Sequence, residues 1–113
     1  MALKLNRENS FQTATIAVSG TASDAVKLDG FSFGGIILPS TYDGTALTFT
    51  VSDAVEGTYV ALEDDTGASI TLTVEASKAY ALPPELFAFP CCKLVAGTSQ
   101  STTATLVSVC LKA

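Results

Sequence analysis

The chain has no histidine and no tryptophan, and only 15% of its 113 residues are charged. Without histidine it lacks the side chain most often used as a general base near neutral pH. Ser-His-Asp and Cys-His arrangements are therefore excluded within a single chain, and zinc loses its usual nitrogen ligand. Basic residues are few as well, six against eleven acidic ones, for a net charge of −5 and a pI near 4.3. Such a chain repels a phosphate backbone and has no electrostatic hold on anionic lipid, so neither nucleic acid nor a membrane is an expected partner. No run approaches the ~20 apolar residues of a spanning helix. Residues 1–10, MALKLNRENS, contain no continuous apolar stretch of the kind a signal peptide needs, which implies synthesis and folding in a reducing cytoplasm.

The cysteines agree with that compartment. Cys91, Cys92 and Cys110 are odd in number and have no framework spacing, so no disulfide scaffold is expected. Cys91 and Cys92 adjoin in an apparent strand, which points their side chains to opposite faces, one into the core and one outward. Buried structural thiols are the expected role.

What is present is apolar and rich in strand formers. The length permits one domain, 48% of it is apolar, and the mean hydropathy is +0.42. An ordinary soluble domain carries about 25% charged residues, so this low-charge chain is expected to set apolar surface against a partner, as a homo-oligomer or a docked assembly. Fifteen threonines, nine valines and nine aromatic residues, punctuated by Gly and Asp, give an all-β signature.

The period-two pattern predicts strands over residues 12–19, with Ala14, Ile16 and Val18 inward, and 26–28, turning at Asp29-Gly30 into 31–38. Gly34-Gly35 inside that run predicts a bulge or a close backbone approach. Residues 46–52 alternate most cleanly, with Leu47, Phe49 and Val51 inward. Strands over 58–63 and 68–75 flank a turn at 64–67, where Gly67 is placed to take a positive φ, and the three segments read as a meander. Residues 78–82 form a short strand closed by Pro83-Pro84, 83–87 a connection with one helical turn, and 89–96 a strand. The last strand covers 103–111, with Thr105, Val107, Val109 and Leu111 inward. About eight strands at this spacing predict an all-β fold, a single antiparallel β-sandwich of jelly-roll type. The domain runs over residues 11–113, and residues 1–10 form an N-terminal arm or edge segment.

Few residues offer chemistry. Asp64 and Asp65 adjoin in a turn, where Asp is favoured for local backbone hydrogen bonds. Asp53 and Glu56 in one turn and Glu63, Asp64 and Asp65 in the next match no EF-hand loop, and an acidic rim that keeps the particle soluble is expected instead of calcium binding. Carbohydrate sites stack sugars on exposed aromatics; with no tryptophan, Tyr42 near a loop tip is the one candidate platform, and turn packing is its other reading. Leu3, Lys4, Leu5 and Arg7 form the candidate contact set of the arm, since ten extended residues reach over ~30 Å. A first edge strand or a loose terminus is the alternative there. No catalytic residue, metal or cofactor is expected.

The segments GGIILP (34–39), GTALTFTVS (44–52), TYVALEDDTG (58–67), SKAYALPPELFAF (77–89) and KLVAGT (93–98) together resemble a family of small virion proteins of tailed bacteriophages. There a strand ending in an apolar-Pro step precedes an L-x-F-x-V strand, an aromatic-x-x-Leu hairpin strand with Asp and Gly at its turn, an L-x-P connection, a K-L strand and a last Val-rich strand. The likeness spans residues 31–111, and the chain departs from it at Cys91-Cys92, where the family pattern has aromatic residues. It implies a capsid decoration or cement protein, or a head-fibre base, and by looser likeness the discoidin-type jelly rolls. On that resemblance the expected role is non-enzymatic: a homo-oligomer, trimer or dimer, that binds the major capsid protein on the shell exterior of the virion and stabilises it. The alternative is a receptor- or glycan-binding module of a head fibre or tail.

Overall fold

A computed structural model describes residues 9–113 except Thr102. It contains nine strands: β1 (Asn9–Ile16), β2 (Val26–Lys27), β3 (Phe33–Ile37), β4 (Ala46–Ser52), β5 (Val60–Ala61), β6 (Leu72–Thr73), β7 (Ala79–Ala81), β8 (Cys91–Ala96) and β9 (Thr105–Lys112), with one 3₁₀ turn, Pro84–Ala88, before β8. They form two antiparallel sheets, ordered β1-β9-β3-β7 and β2-β8-β4-β5, with β6 also on β4. The pairings are nested. β4 pairs with β5 and β6, β3 with β7, β2 with β8, and β1 with β9. The chain is one long hairpin whose successive levels alternate between the sheets, rolled so that β3 also meets β9 and β4 meets β8. That is the order of a jelly roll, an antiparallel β-sandwich.

Alternation decides which side chains fill the space between the sheets. Leu47, Phe49 and Val51 of β4, Val107, Val109 and Leu111 of β9, Cys92 and Leu94 of β8 and Ile16 of β1 are all buried. Leu86 closes one end from the 3₁₀ turn and is fully buried. Each fully buried Leu or Phe contributes roughly 1.5–3 kcal/mol relative to exposure, so the strands are held by this shared core more than by their own short ladders.

Three details depart from the sequence pattern. Asn9 and Ser10 belong to β1, paired with Lys112 and Leu111, so the sandwich begins two residues earlier than expected. Val18 is 51% exposed because β1 ends at Ile16 and Ser19 takes a left-handed conformation with φ 66°. Of the two readings of Gly34-Gly35, close approach is the one found: the β3–β9 register is unbroken, and a Cβ on either glycine would crowd a neighbouring carbonyl.

The third departure is that the meander is incomplete: its outer hairpin forms, but the returning strand leaves it to pair with β4. From Thr50 to Leu47 β4 advances three residues while its partner advances eleven, from Ala61 to Leu72. Eight residues therefore loop out of a single edge, and β6 returns to β4 in place of pairing with β5. Val74, fully buried, extends the return by donating its N–H to the Thr45 carbonyl at 2.9 Å. The loop is a small hairpin bridged at Glu63 and Ser69. The Asp64 carboxylate accepts from Thr66 N (2.9 Å), Thr66 Oγ1 (2.6 Å) and Ala68 N (3.0 Å), and Gly67 takes the expected positive φ of 84°.

A Cβ on Gly34 would lie 2.6 Å from the Cys110 carbonyl oxygen and 2.7 Å from Leu111 Cδ2. Gly34→Ala is expected to lower unfolding stability by about 1–3 kcal/mol, the cost of overpacking a rigid site, measured as a lower denaturant midpoint. An unchanged midpoint would mean that β3 and β9 are spaced more widely than described.

Candidate interaction surface

The outer face of the β1-β9-β3-β7 sheet is built in rungs. Asn9, Lys112 and Phe33 form one; Phe11, Cys110, Gly35 and Ala81 the next; Thr13, Ser108, Ile37 and Ala79 a third; Thr15 and Leu106 the last. Phe11 is 79% exposed, Leu106 55%, Ile37 51% and Phe33 45%. Between these ridges the small side chains of Gly35, Ala79, Ala81 and Cys110 leave a shallow apolar depression. Lys112 is the one charged residue in the four strands.

Charge is kept elsewhere. Every described Asp and Glu lies in a loop or turn outside the nine strands, so this sheet carries no carboxylate and Lys112 is its single charge. The opposite sheet is finished differently: Thr48, Thr50 and Ser52 share its outer side with Lys93 and Cys91, and the Lys93 ammonium lies 4.5 Å from the centre of the Tyr59 ring, a cation–π contact. The two faces of the sandwich are thus unequal. The first bears four large exposed apolar side chains among small and polar ones, whereas the second is mainly Thr, Ser and Lys, with Ser52 and Cys91 buried.

The residues singled out from sequence fall elsewhere. Leu3, Lys4, Leu5 and Arg7 lie outside the described residues. Tyr42 is only 5% exposed and belongs to the core; its hydroxyl donates to the Ala46 carbonyl at 2.8 Å, and burial raises its pKa. It is no exposed platform for a sugar ring, because the loop folds it inward to close the end of the sandwich. Turn packing, its other reading, is what the structure has.

Beside Tyr42 sits a polar clamp that the sequence did not announce. Gln100 is fully buried. Its Oε1 accepts from Asp43 N (3.0 Å) and Thr105 Oγ1 (2.6 Å), while its Nε2 donates to the carbonyls of Asp43 and Thr98, both at 3.1 Å. Its backbone joins the loop after β1 through Ser19 and Gly20. The Asp43 carboxylate in turn accepts from Ser101 N (2.8 Å) and Ser101 Oγ (2.9 Å). A single glutamine therefore ties three loops at one end, with all its polar atoms satisfied.

All three cysteines are free thiols. Cys91 and Cys92 face opposite sides as expected, but both are buried; the outward one, Cys91, neighbours the Tyr59 hydroxyl. Burial, with a smaller contribution from Cys91, pushes the Cys92 thiol up to about 12. Among the described residues no three Cys, Asp or Glu side chains gather as a metal site, and no helix is long and apolar enough to cross a membrane. No family model matches the chain, and no curated protein or solved structure matches it either.

Hydrogen bonds from Ser101 hold the Asp43 carboxyl below the usual carboxylate range, and those from Thr66 and Ala68 do the same for Asp64. Groups depressed in this way stabilise the fold above their unfolded pKa, near 3.9, and that contribution is lost as pH falls through the folded pKa. The melting temperature is expected to hold between pH 7 and 5 and to drop below about pH 4, with Asp43→Asn and Asp64→Asn each lowering it at pH 7 and flattening the acid decline. Thermal scans across that range would read this out. Alkylation of the native protein near pH 8 should modify the half-buried Cys110 first and leave Cys92 unmodified until denaturant is added, as peptide mass spectrometry would reveal.

Proposed function

We propose that this protein is a structural docking module that binds the exterior of an assembled tailed-phage capsid through the outer face of the β1-β9-β3-β7 sheet and stabilises the shell. The observation that carries the reading is the concentration of exposed Phe11, Phe33, Ile37 and Leu106 on a sheet face with one charge. Sheet strands lie ~4.8 Å apart and rise ~3.4 Å per residue, so four strands of up to eight residues offer a footprint of roughly 20 by 27 Å. Because β3 and β7 are shorter than β1 and β9, the four strands cover roughly 390 Å² of that outline, about half the ~800 Å² per partner of a standard specific interface, so firm attachment calls for more than one copy. The absence of carboxylates from the face suits an uncharged, apolar strip of the major capsid protein, and the acidic loops keep the unbound module soluble.

The viral setting comes from the sequence resemblance, and the mode of attachment from the physics of the face. A module that binds only the assembled shell stabilises that state by linkage, and several copies or several contacts gain by effective concentration. No catalytic group is needed. The glycan-binding alternative loses its one named residue, since Tyr42 is in the core.

Addition of the pure chain to expanded capsids is expected to raise their melting temperature. Ile37→Lys and Leu106→Lys, at sites 51% and 55% exposed, are expected to fold normally and to bind at least ~tenfold more weakly, since a charge buried without a partner is costly. A wild-type chain that leaves the melting temperature of the shell unchanged would sink the reading.

A further inference from the structure

The geometry points to self-association of two copies through the free edge of β1, an inference that rests on the docking reading only for its purpose. Sheet edges carry unpaired N–H and C=O groups and are normally blunted by shortness, charge, proline or a cover. Three of the four edges here are blunted. β7 has three residues and is followed closely by Pro83-Pro84. On β2, the backbone N–H of Lys27 donates to Gln12 Oε1 (3.2 Å), and Gln12 Nε2 donates to the Lys27 carbonyl (2.9 Å). The β5–β6 edge is interrupted by the eight-residue excursion with its acidic turn.

Among the described residues, β1 is covered only at its C-terminal end. It runs eight residues, NSFQTATI, with no charge and no proline, in unbroken register with β9. Its outward edge is capped at one position: Thr15 N donates to Asp24 Oδ1 (2.9 Å), and Asp24 N donates to the Thr15 carbonyl (3.2 Å). Backbone groups of an antiparallel strand alternate in direction, so Asn9, Phe11 and Thr13 point theirs the same way as Thr15. Among the described residues, none bonds to those groups.

These three open positions are self-complementary. An antiparallel two-fold contact centred on Phe11 pairs Phe11 with its counterpart and Asn9 with Thr13 of the other copy, and stops where Thr15 is already occupied. A contact of this kind is isologous and closes at two copies. It sets the two phenylalanines side by side across the axis, where aromatic cross-strand pairs add stability. Two copies of a chain with net charge −5 meet along a line that carries no charge in the strand itself. Joined this way, the apolar faces become one eight-stranded surface that stays open for docking.

Sedimentation equilibrium and amide exchange on the full chain test this. The expected result is a dimer, with the Phe11 and Thr13 amides protected at high concentration and exchanging fast on dilution. Thr13→Pro removes an outward donor, and Phe11→Lys places a charge at the axis; each is expected to weaken association by about tenfold or more. Because Phe11 is 79% exposed, the second variant keeps the test alive if the proline variant fails to fold. Leu106→Lys, on the same face but away from the edge, should leave the dimer intact. A monomer at all concentrations, a trimer, protection independent of concentration, or a dimer broken by Leu106→Lys but not by the edge variants would each overturn the inference. A monomer that still docks on capsids would overturn the edge contact alone, and a dimer that ignores them would overturn the docking reading alone.

Discussion

The pairing of β9 with β1 on one side and β3 on the other governs both surfaces of the sheet. Side chains alternate with a period of two, so a slip of one residue would exchange Val107, Val109 and Leu111 for Leu106, Ser108, Cys110 and Lys112. Lys112 would then enter the core without a partner, and three branched aliphatic residues would meet water. The two glycines of β3 support this register by letting its backbone lie close against Cys110 and Tyr80. The apolar outer face is the necessary complement of that register, because β9 and β3 carry apolar residues at both parities.

Much of the fold was legible for this reason. Thr105, Val107, Val109 and Leu111 on one side of β9, and Leu47, Phe49 and Val51 on one side of β4, could be assigned to the core from spacing alone, and the turn chemistry of Asp64 and Gly67 from residue type. The order of the strands was not legible in the same way. Val74 shows why: alternation gives it an inward side, but only the long-range return to β4 decides which edge it covers. A hairpin of favourable turn residues looked like part of a meander because local sequence cannot report that the strand continues beyond it.

The surface was less legible than the core. Leu106, Ile37 and Phe33 carried a signal, namely apolar residues at positions that alternation assigns outward. Their meeting on one face depended on β9 lying between β1 and β3, which are distant in sequence. Gln100 gave no signal at all, since one glutamine in a polar loop reads as solvated. Its importance arises from its position among three loops, where an amide offers both donors and acceptors in the geometry that converging backbones need. Tyr42 misled for the related reason that a loop address suggests exposure, while an aromatic ring near a sandwich end is large enough to plug it.

The excursion between β5 and β6 separates architecture from content. Its stem is anchored by Leu62, whose N–H donates to the Phe49 carbonyl, and by Val74, bonded to Thr45, so β4 is covered on both sides of the departure point whatever lies at the tip. Loop length adds little entropic cost once the ends are fixed. The tip is accordingly the place where added length costs the ladder least: an insertion beyond the Asp64 turn lengthens the excursion without removing a bond to β4.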